Sequence, residues 1–211
     1  KQRLLPSQAG RTTMCPTELQ YDEKVEACIK LLPIETRASS TSIAEYKRSS
    51  INWTTLPLEL ADSAKMAEVF REIVQTKRVT VRTARELGLY SPEADPHGAA
   101  LHADGGVDIP VWRHAVINYP HPLLKQGLVI LDTPGLNSLG TEPELTMSML
   151  PKAHLVMFVL AADTGVTKSD LEVWNNHVRL TRGSKQTACF ALLNKIDTMW
   201  DELRDAGAIA A

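Results

Sequence analysis

Two short polar motifs each follow an unbroken apolar run in the second half of this sequence. The motif Asp-Thr-Pro-Gly at residues 132–135 comes directly after the apolar run 128–131. The motif Asn-Lys-Ile-Asp at residues 194–197 comes directly after the apolar run 190–193. In open α/β sheets, ligands bind outside the carboxyl ends of the strands. We therefore expect each motif to leave a buried strand, with both motifs at the same edge of one sheet.

The residues between the two motifs alternate between strand and helix patterns. The apolar runs 154–162 and 188–193 are typical of buried strands. Residues 141–144 have the pattern of a capping box that opens a helix, and residues 167–170 are predicted to start another helix. Strands that alternate with helices need crossover connections. The sequence therefore predicts an α/β fold with a mainly parallel sheet flanked by helices.

The segment 34–110 has a different pattern. After Pro57 a helix is predicted by apolar residues that fall on one side of it, namely Met66, Phe70, Ile73 and Val74. A second, short helix is predicted over residues 83–89, and residues 91–110 are rich in proline and glycine, as in a loop. We expect one domain over residues 1–211, with 34–110 as a helical and loop insertion within it.

Composition and charge exclude several classes of protein. The 211 residues carry a net charge of -2, which argues against nucleic acid as a partner. The longest apolar run, residues 155–162, is far shorter than the roughly 20 residues of a membrane span. Cys15, Cys28 and Cys189 are far apart and odd in number, so we expect free thiols rather than a disulfide framework or a zinc site. These features indicate a cytoplasmic protein.

The residues of the first motif suit a terminal phosphate and its metal ion. A carboxylate at a strand end, as at Asp132, can hold Mg²⁺ directly or through water. Gly135 lets the backbone approach closely, so that its N–H can bond a phosphate. The alternative is an ordinary turn after a strand, because Asp-Thr-Pro-Gly is also good turn chemistry.

The residues of the second motif suit a guanine base. The carboxylate of Asp197 would accept hydrogen bonds from the N1–H and N2–H₂ donors of guanine, which adenine lacks. The stem of Lys195 can lie along the purine face, and the Asn194 amide can bond N7 and tie neighbouring loops together. The alternative is a polar turn between a strand and a helix. The two motifs in this order make both alternatives less favourable.

The order of the two motifs, Asp-x-x-Gly and then Asn-Lys-x-Asp, resembles the translation-factor-like GTPases. Longer segments resemble the dynamin-like branch of that class, in particular its bacterial and mitofusin-like members. These segments are residues 4–6 with 11–18, 122–124 with 127–137, and 163–170. The resemblance covers residues 1–33 and 113–203.

This resemblance implies a GTPase domain (G domain) with a P-loop NTPase-type fold, the nucleotides GTP and GDP, and Mg²⁺. It also implies that Thr13 is the switch-one threonine, which meets Mg²⁺ and the γ-phosphate and serves in catalysis. The same resemblance implies homodimerisation through the G domain, remodelling of a membrane and a peripheral membrane location. Two alternatives stay open: a regulatory switch GTPase without membrane remodelling, and a degenerate, non-enzymatic G-domain scaffold.

The sequence departs from the family pattern in two places. No GxxxxGK[ST] motif, the phosphate-binding P-loop, occurs between Lys1 and Ala211. We therefore expect the first strand and the P-loop to precede Lys1, and this chain alone to bind nucleotide poorly and be inactive. Leu136 follows Gly135 where many small GTPases carry a glutamine that orients the attacking water, and leucine cannot take that role.

Overall fold

The computed structural model describes residues 15–92, 98, 100–132, 153–175 and 188–196. The chain divides into two compact units, Lys1–Glu142 and Pro143–Ala211. We describe each unit by itself. The helix predicted from the capping box at residues 141–144 lies outside the described residues.

The described residues of the first unit form seven strands. In chain order they are β1 Thr17–Gln20, β2 Cys28–Pro33, β3 Thr54–Pro57, β4 Thr76–Thr80, β5 Gly106–Pro110, β6 Trp112–Asn118 and β7 Ile130–Asp132. Five of them form a sheet in the order β3-β2-β6-β1-β7, and β4 pairs with β5 in a separate antiparallel ribbon.

The larger sheet is mixed rather than mainly parallel. Only β1 and β6 run parallel, whereas β1 with β7, β2 with β3 and β2 with β6 are antiparallel. The connection between β1 and β2 is the short segment 21–27. Parallel strands need a crossover of a dozen or more residues. The chain therefore enters β2 in the opposite direction, which the alternating pattern further along the sequence did not reveal.

Five short helical segments also occur in the part of the first unit that the structure describes. They are a 3₁₀ helix over Ile34–Ala38 and the helices α1 Ile43–Tyr46, α2 Ser63–Glu72, α3 Val81–Glu86 and α4 Pro122–Lys125. The α2 helix begins after Asp62, whose side chain accepts hydrogen bonds from the backbone N–H groups of Ala64 and Lys65. It does not begin at Pro57, because that residue ends β3.

The segment 34–110 contains strands as well as the predicted helices. Its strand β3 joins the five-stranded sheet, and β4 and β5 form the ribbon. The expectation of only helix and loop was therefore incomplete, and the loop predicted over 91–110 ends in the strand β5. In the β4 run Thr-Lys-Arg-Val-Thr the adjacent Lys77 and Arg78 place a charge on each face of the strand, so no apolar alternation identifies it from sequence.

Two buried clusters occur in the described part of the first unit, and the larger one lies between α2 and the five-stranded sheet. Ile29 and Leu31 of β2 and Ile117 of β6 are fully buried there. The predicted one-sided pattern of α2 is confirmed, because Met66 and Phe70 are buried in the same cluster. Each such side chain contributes about 1.5–3 kcal/mol of hydrophobic free energy.

The second unit contains two parallel strands and one helix in its described part. The strands are β8 Leu155–Ala161 and β9 Ala188–Asn194, paired in register along seven residues, and the helix α5 covers Lys168–Val173. The helix predicted to start at residues 167–170 is confirmed, and the structure shows a capping box there, since Thr167 and Asp170 exchange side-chain and backbone hydrogen bonds. The parallel strand–helix–strand arrangement predicted for this region is present.

The prediction that β8 and β9 are buried strands was wrong for most of their side chains. Met157 is 54% exposed and Phe190 57% exposed, whereas Val156 is buried. A helix of six residues covers only a small part of the sheet, and its contact is a T-shaped packing of Trp174 on Phe158 at 5.7 Å between ring centroids. The apolar runs therefore predicted the strands correctly and their burial incorrectly.

The three cysteines are thiols in the structure. Cys15 and Cys28 are buried, and Cys189 is half-buried. Among the helices of the described residues, none combines the length and apolar character that crossing a membrane requires.

Candidate functional site

Asp132 ends the edge strand β7, opposite Thr17 of β1. Its side chain is half-buried, and this burial raises the pKa of the Asp132 carboxyl. The strand itself is less buried than its apolar sequence indicated, since Ile130 is 45% exposed. A carboxylate in such a place is desolvated, so a cation beside it would favour its charged form.

The chemistry of Asp132 fits one ligand of a Mg²⁺ ion. Mg²⁺ is bound through oxygen atoms, commonly one or two carboxylates together with waters and substrate phosphates. No group of three or more His, Cys, Asp or Glu side chains suited to a metal ion occurs among the residues that the structure describes. Thr13 and Gly135, the other residues predicted to meet the metal ion or the phosphate, lie outside the described residues.

Asn194 and Lys195 form a defined turn at the carboxyl end of β9. The Lys195 backbone is left-handed, with a φ of 58°. That conformation is uncommon for a residue other than glycine and is found preferentially at functional sites. The Asn194 side chain stabilises it, because its Oδ1 accepts a hydrogen bond of 2.9 Å from the Lys195 backbone N–H. Asp197, the predicted base reader, lies outside the described residues.

Asp163 joins this turn from the end of β8. The Lys195 Nζ donates a hydrogen bond of 3.2 Å to Asp163 Oδ2. Asp163 lies in the segment 163–170, which resembles the dynamin-like GTPases, but no role in the site was predicted for it. Its signal was available, since Asp163 follows the apolar run of β8 much as Asn194 follows that of β9. The register of the two parallel strands turns this shared position into contact.

The two motifs leave different sheets in the described structure. Asp132 ends a strand of the five-stranded sheet, and Asn194 ends a strand of the parallel pair in the other unit. Their common location at one sheet edge stays a prediction.

A second polar cluster lies within the first unit, around the β1 carboxylate of Glu18. Burial by itself would raise the pKa of Glu18, but the neighbouring His114 and Lys47 outweigh it and lower that pKa to about 2. Lys47 forms a salt bridge with this carboxylate. The cluster joins Lys47, in the turn after α1, to the strand that follows the predicted switch-one loop.

His114 is completely buried beside this ion pair. Its Nε2 lies 3.7 Å from Glu18 Oε2, which is too long for a hydrogen bond, and its ring packs against the Trp53 ring in a T-shaped contact. Burial therefore dominates and lowers the pKa of His114. Sequence reasoning could not find this cluster, because it depends on the pairing of the distant strands β1 and β6.

An α/β chain with polar turns at its strand ends is typical of nucleotide-binding proteins. Comparison with known families narrows this class. The model of the dynamin family matches residues 1–196. The chain therefore belongs to the dynamin family, and its domain is of the P-loop NTPase class.

Individual relatives show the same similarity over shorter segments. The chain is 29% identical over 93 residues to a bacterial dynamin-like protein of Nostoc punctiforme, covering 44% of this chain and 12% of that protein. It is 39% identical over 90 residues to a probable transmembrane GTPase FZO-like of Arabidopsis thaliana, described as chloroplastic, covering 41% of this chain and 9% of that protein. It is 40% identical over 60 residues to the isoniazid-induced protein IniA of Mycobacterium tuberculosis, covering 28% of this chain and 9% of that protein.

Proposed function

We propose that the full-length protein binds and hydrolyses GTP. One observation carries this proposal: in a chain of the dynamin family, the Asn-Lys motif ends a parallel strand in a left-handed turn held by its own asparagine. One similar protein is itself named a probable GTPase. The matched segments span about a tenth of the relatives' lengths, so the activity is our proposal for this protein.

Guanine recognition divides among three side chains in this proposal. The Asn194 Oδ1 is occupied by the Lys195 N–H, which leaves the amide NH₂ group, a donor, to meet N7 of the base. The aliphatic stem of Lys195 packs along the purine face. Asp197 accepts the N1–H and N2–H₂ donors, and an adenine base would leave this carboxylate unpaired.

The phosphate end of the site belongs to Asp132, Thr13 and Gly135. Asp132 holds Mg²⁺ directly or through water, Thr13 contributes its hydroxyl and carbonyl oxygens, and the Gly135 N–H bonds the γ-phosphate. A Mg²⁺ ion held by these residues would supply positive charge to stabilise the transferred phosphoryl group. Catalysis by these residues is therefore positioning and electrostatic stabilisation.

We further propose that the nucleotide cycle drives dimerisation of the G domain and remodelling of a membrane. The support is the membership of the dynamin family and a relative named as a transmembrane GTPase. This part of the proposal includes a peripheral membrane location and a second copy of the same protein as partner.

The test measures GTP turnover by the full-length protein, with and without lipid vesicles, and compares the variant Asp132→Asn. We expect Mg²⁺-dependent turnover in the wild type and its loss in the variant. Removing the half-buried charge relieves a desolvation penalty, so the thermal unfolding temperature of Asp132→Asn stays equal or rises.

The outcomes of this test separate the proposed function from its alternatives. No hydrolysis under either condition would overturn the GTPase proposal and favour a scaffold. Hydrolysis that neither responds to lipid nor deforms vesicles would favour a regulatory switch. Unchanged turnover in Asp132→Asn would remove this residue from the site.

A further inference from the structure

We propose that Asp163 is a positioning residue for base recognition, which orients the Lys195 side chain before the nucleotide arrives. This inference rests on the proposed function, because it gives a partner to a residue of the same site. It assigns a role to the end of β8, which the Asp-x-x-Gly and Asn-Lys-x-Asp motifs leave without one.

The backbone fixes where the Asp163 and Lys195 side chains start. Ala161 and Asn194 are register partners, and the Ala162 N–H extends the ladder with a 2.8 Å hydrogen bond to the Asn194 carbonyl. Asp163 follows Ala162 and Lys195 follows Asn194, so both residues lie just past the ends of the two strands. On the β8 side the chain then turns back, since the Gly165 N–H bonds the Ala161 carbonyl at 3.1 Å.

The side chains complete this arrangement with opposite charges. The Asp163 carboxylate receives the Lys195 ammonium at 3.2 Å. Lysine has four rotatable bonds in its stem, and immobilising it costs conformational entropy when a ligand binds. A lysine that is already held loses less entropy on binding. The contact therefore favours nucleotide affinity.

This ion pair is exposed to solvent, so its effect on nucleotide binding can be measured apart from its effect on folding stability. The Asp163 side chain is 37% exposed and the Lys195 side chain 52% exposed. Ion pairs that are this accessible contribute little to folding. Removing the Asp163 carboxylate should therefore leave the fold unchanged, and its effect should be measurable at the base.

The position of Lys195 on the purine face predicts which properties change. The face is the same in GTP, GDP and inosine nucleotides, which differ in their phosphates or in the N2 amino group. Loss of Asp163 should therefore weaken all three by the same factor, about 3- to 10-fold. Turnover at saturating GTP should not change, because Asp163 meets neither the phosphates nor the metal ion in this proposal.

The experiment compares Asp163→Ala, Asp163→Asn and Asp163→Glu in the full-length protein. Calorimetry gives the Kd for GDP and IDP, and steady-state hydrolysis gives kcat and KM. Glu86→Ala is the matched control, because it also removes a carboxylate from an exposed ion pair, with Arg82, and this pair belongs to the first unit. Thermal unfolding of each variant checks the fold.

We expect Asp163→Ala and Asp163→Asn to raise the Kd for GDP and IDP equally, and to raise KM with kcat unchanged. Asp163→Glu, which keeps the charge, should recover most of the affinity, and Glu86→Ala should match the wild type. Wild-type affinity or tighter binding in Asp163→Ala would overturn the inference and leave the proposed function standing. A change in the ratio of GDP to IDP affinity would also overturn it. Failure of the wild type to bind GDP would overturn both.

Discussion

The two units use apolar strands in opposite ways. In the first unit, the strands β2 and β6 bury side chains such as Ile29 and Ile117 almost completely beneath α2. In the second unit, β8 and β9 are equally apolar in sequence, but Met157 and Phe190 are more than half exposed. The first unit therefore has the packed core, and the second unit presents polar residues at the ends of a parallel pair.

This difference shows that hydrophobicity identifies a strand more reliably than it identifies burial. A strand is buried only where other elements cover its faces. The first unit supplies α2 and a five-stranded sheet, whereas α5 covers Phe158 through Trp174. The candidate base site depends on strand ends and register, so it is defined even where the strand faces are exposed.

The largest expected effect tests the contrast in burial directly. Ile117→Ala creates a cavity in the core of the first unit. It should lower the free energy of unfolding around β6 by about 2–5 kcal/mol. Met157→Ala, at a side chain that is 54% exposed, should cost no more than about 0.5 kcal/mol. Amide hydrogen exchange measures the loss of stability locally, in β6 for Ile117→Ala and in β8 for Met157→Ala. An equal cost for Met157→Ala would mean that the β8 face is covered in solution.

The next effect tests the Glu18 cluster. Lys47→Met removes the cation from a carboxylate whose side chain is only 8% exposed. The expected loss of stability is on the order of 2 kcal/mol, between the costs of breaking exposed and fully buried pairs. Lys65→Met is the matched control, because it breaks the exposed pair with Glu59 and should cost about 0.5 kcal/mol or less. Equal losses in chemical denaturation would contradict the assigned role of burial.

The smallest effect concerns pH. Burial lowers the pKa of His114, so the folded state binds its proton less readily than the unfolded state, and stability falls as the pH drops below about 6.5. The contribution of Glu18 persists in that range, because it is lost only between pH 4.5 and about 2.

Substitution of His114 by Leu tests this assignment. His114→Leu should flatten the decline in unfolding temperature between pH 7 and pH 5, with Lys47 and Glu18 left in place. A decline as steep as that of the wild type would show that another group titrates there.

Local features of the fold were predictable from the sequence, and long-range pairings were not. The apolar side of α2 and the helix start at Thr167 depend on residues within a few positions of each other, and both were predicted correctly. The mixed sheet depends on β1 pairing with β6, almost a hundred residues away.

The same distinction applies to the candidate site. Asn194 and Lys195 were recognisable because their chemistry lies in one contiguous motif. The contact of Lys195 with Asp163 required the register of β8 against β9, which no sequence pattern gives.

The most direct test of guanine recognition measures the affinity of the full-length protein for GDP and XDP. It compares the wild type with Asp197→Asn. Xanthine carries a carbonyl where guanine has its N2 amino group, so the asparagine amide can donate to it. We expect the wild type to prefer GDP by at least about 100-fold and Asp197→Asn to prefer XDP. An unchanged preference for GDP in Asp197→Asn would contradict the assignment of the Asn-Lys-Ile-Asp motif as the guanine reader.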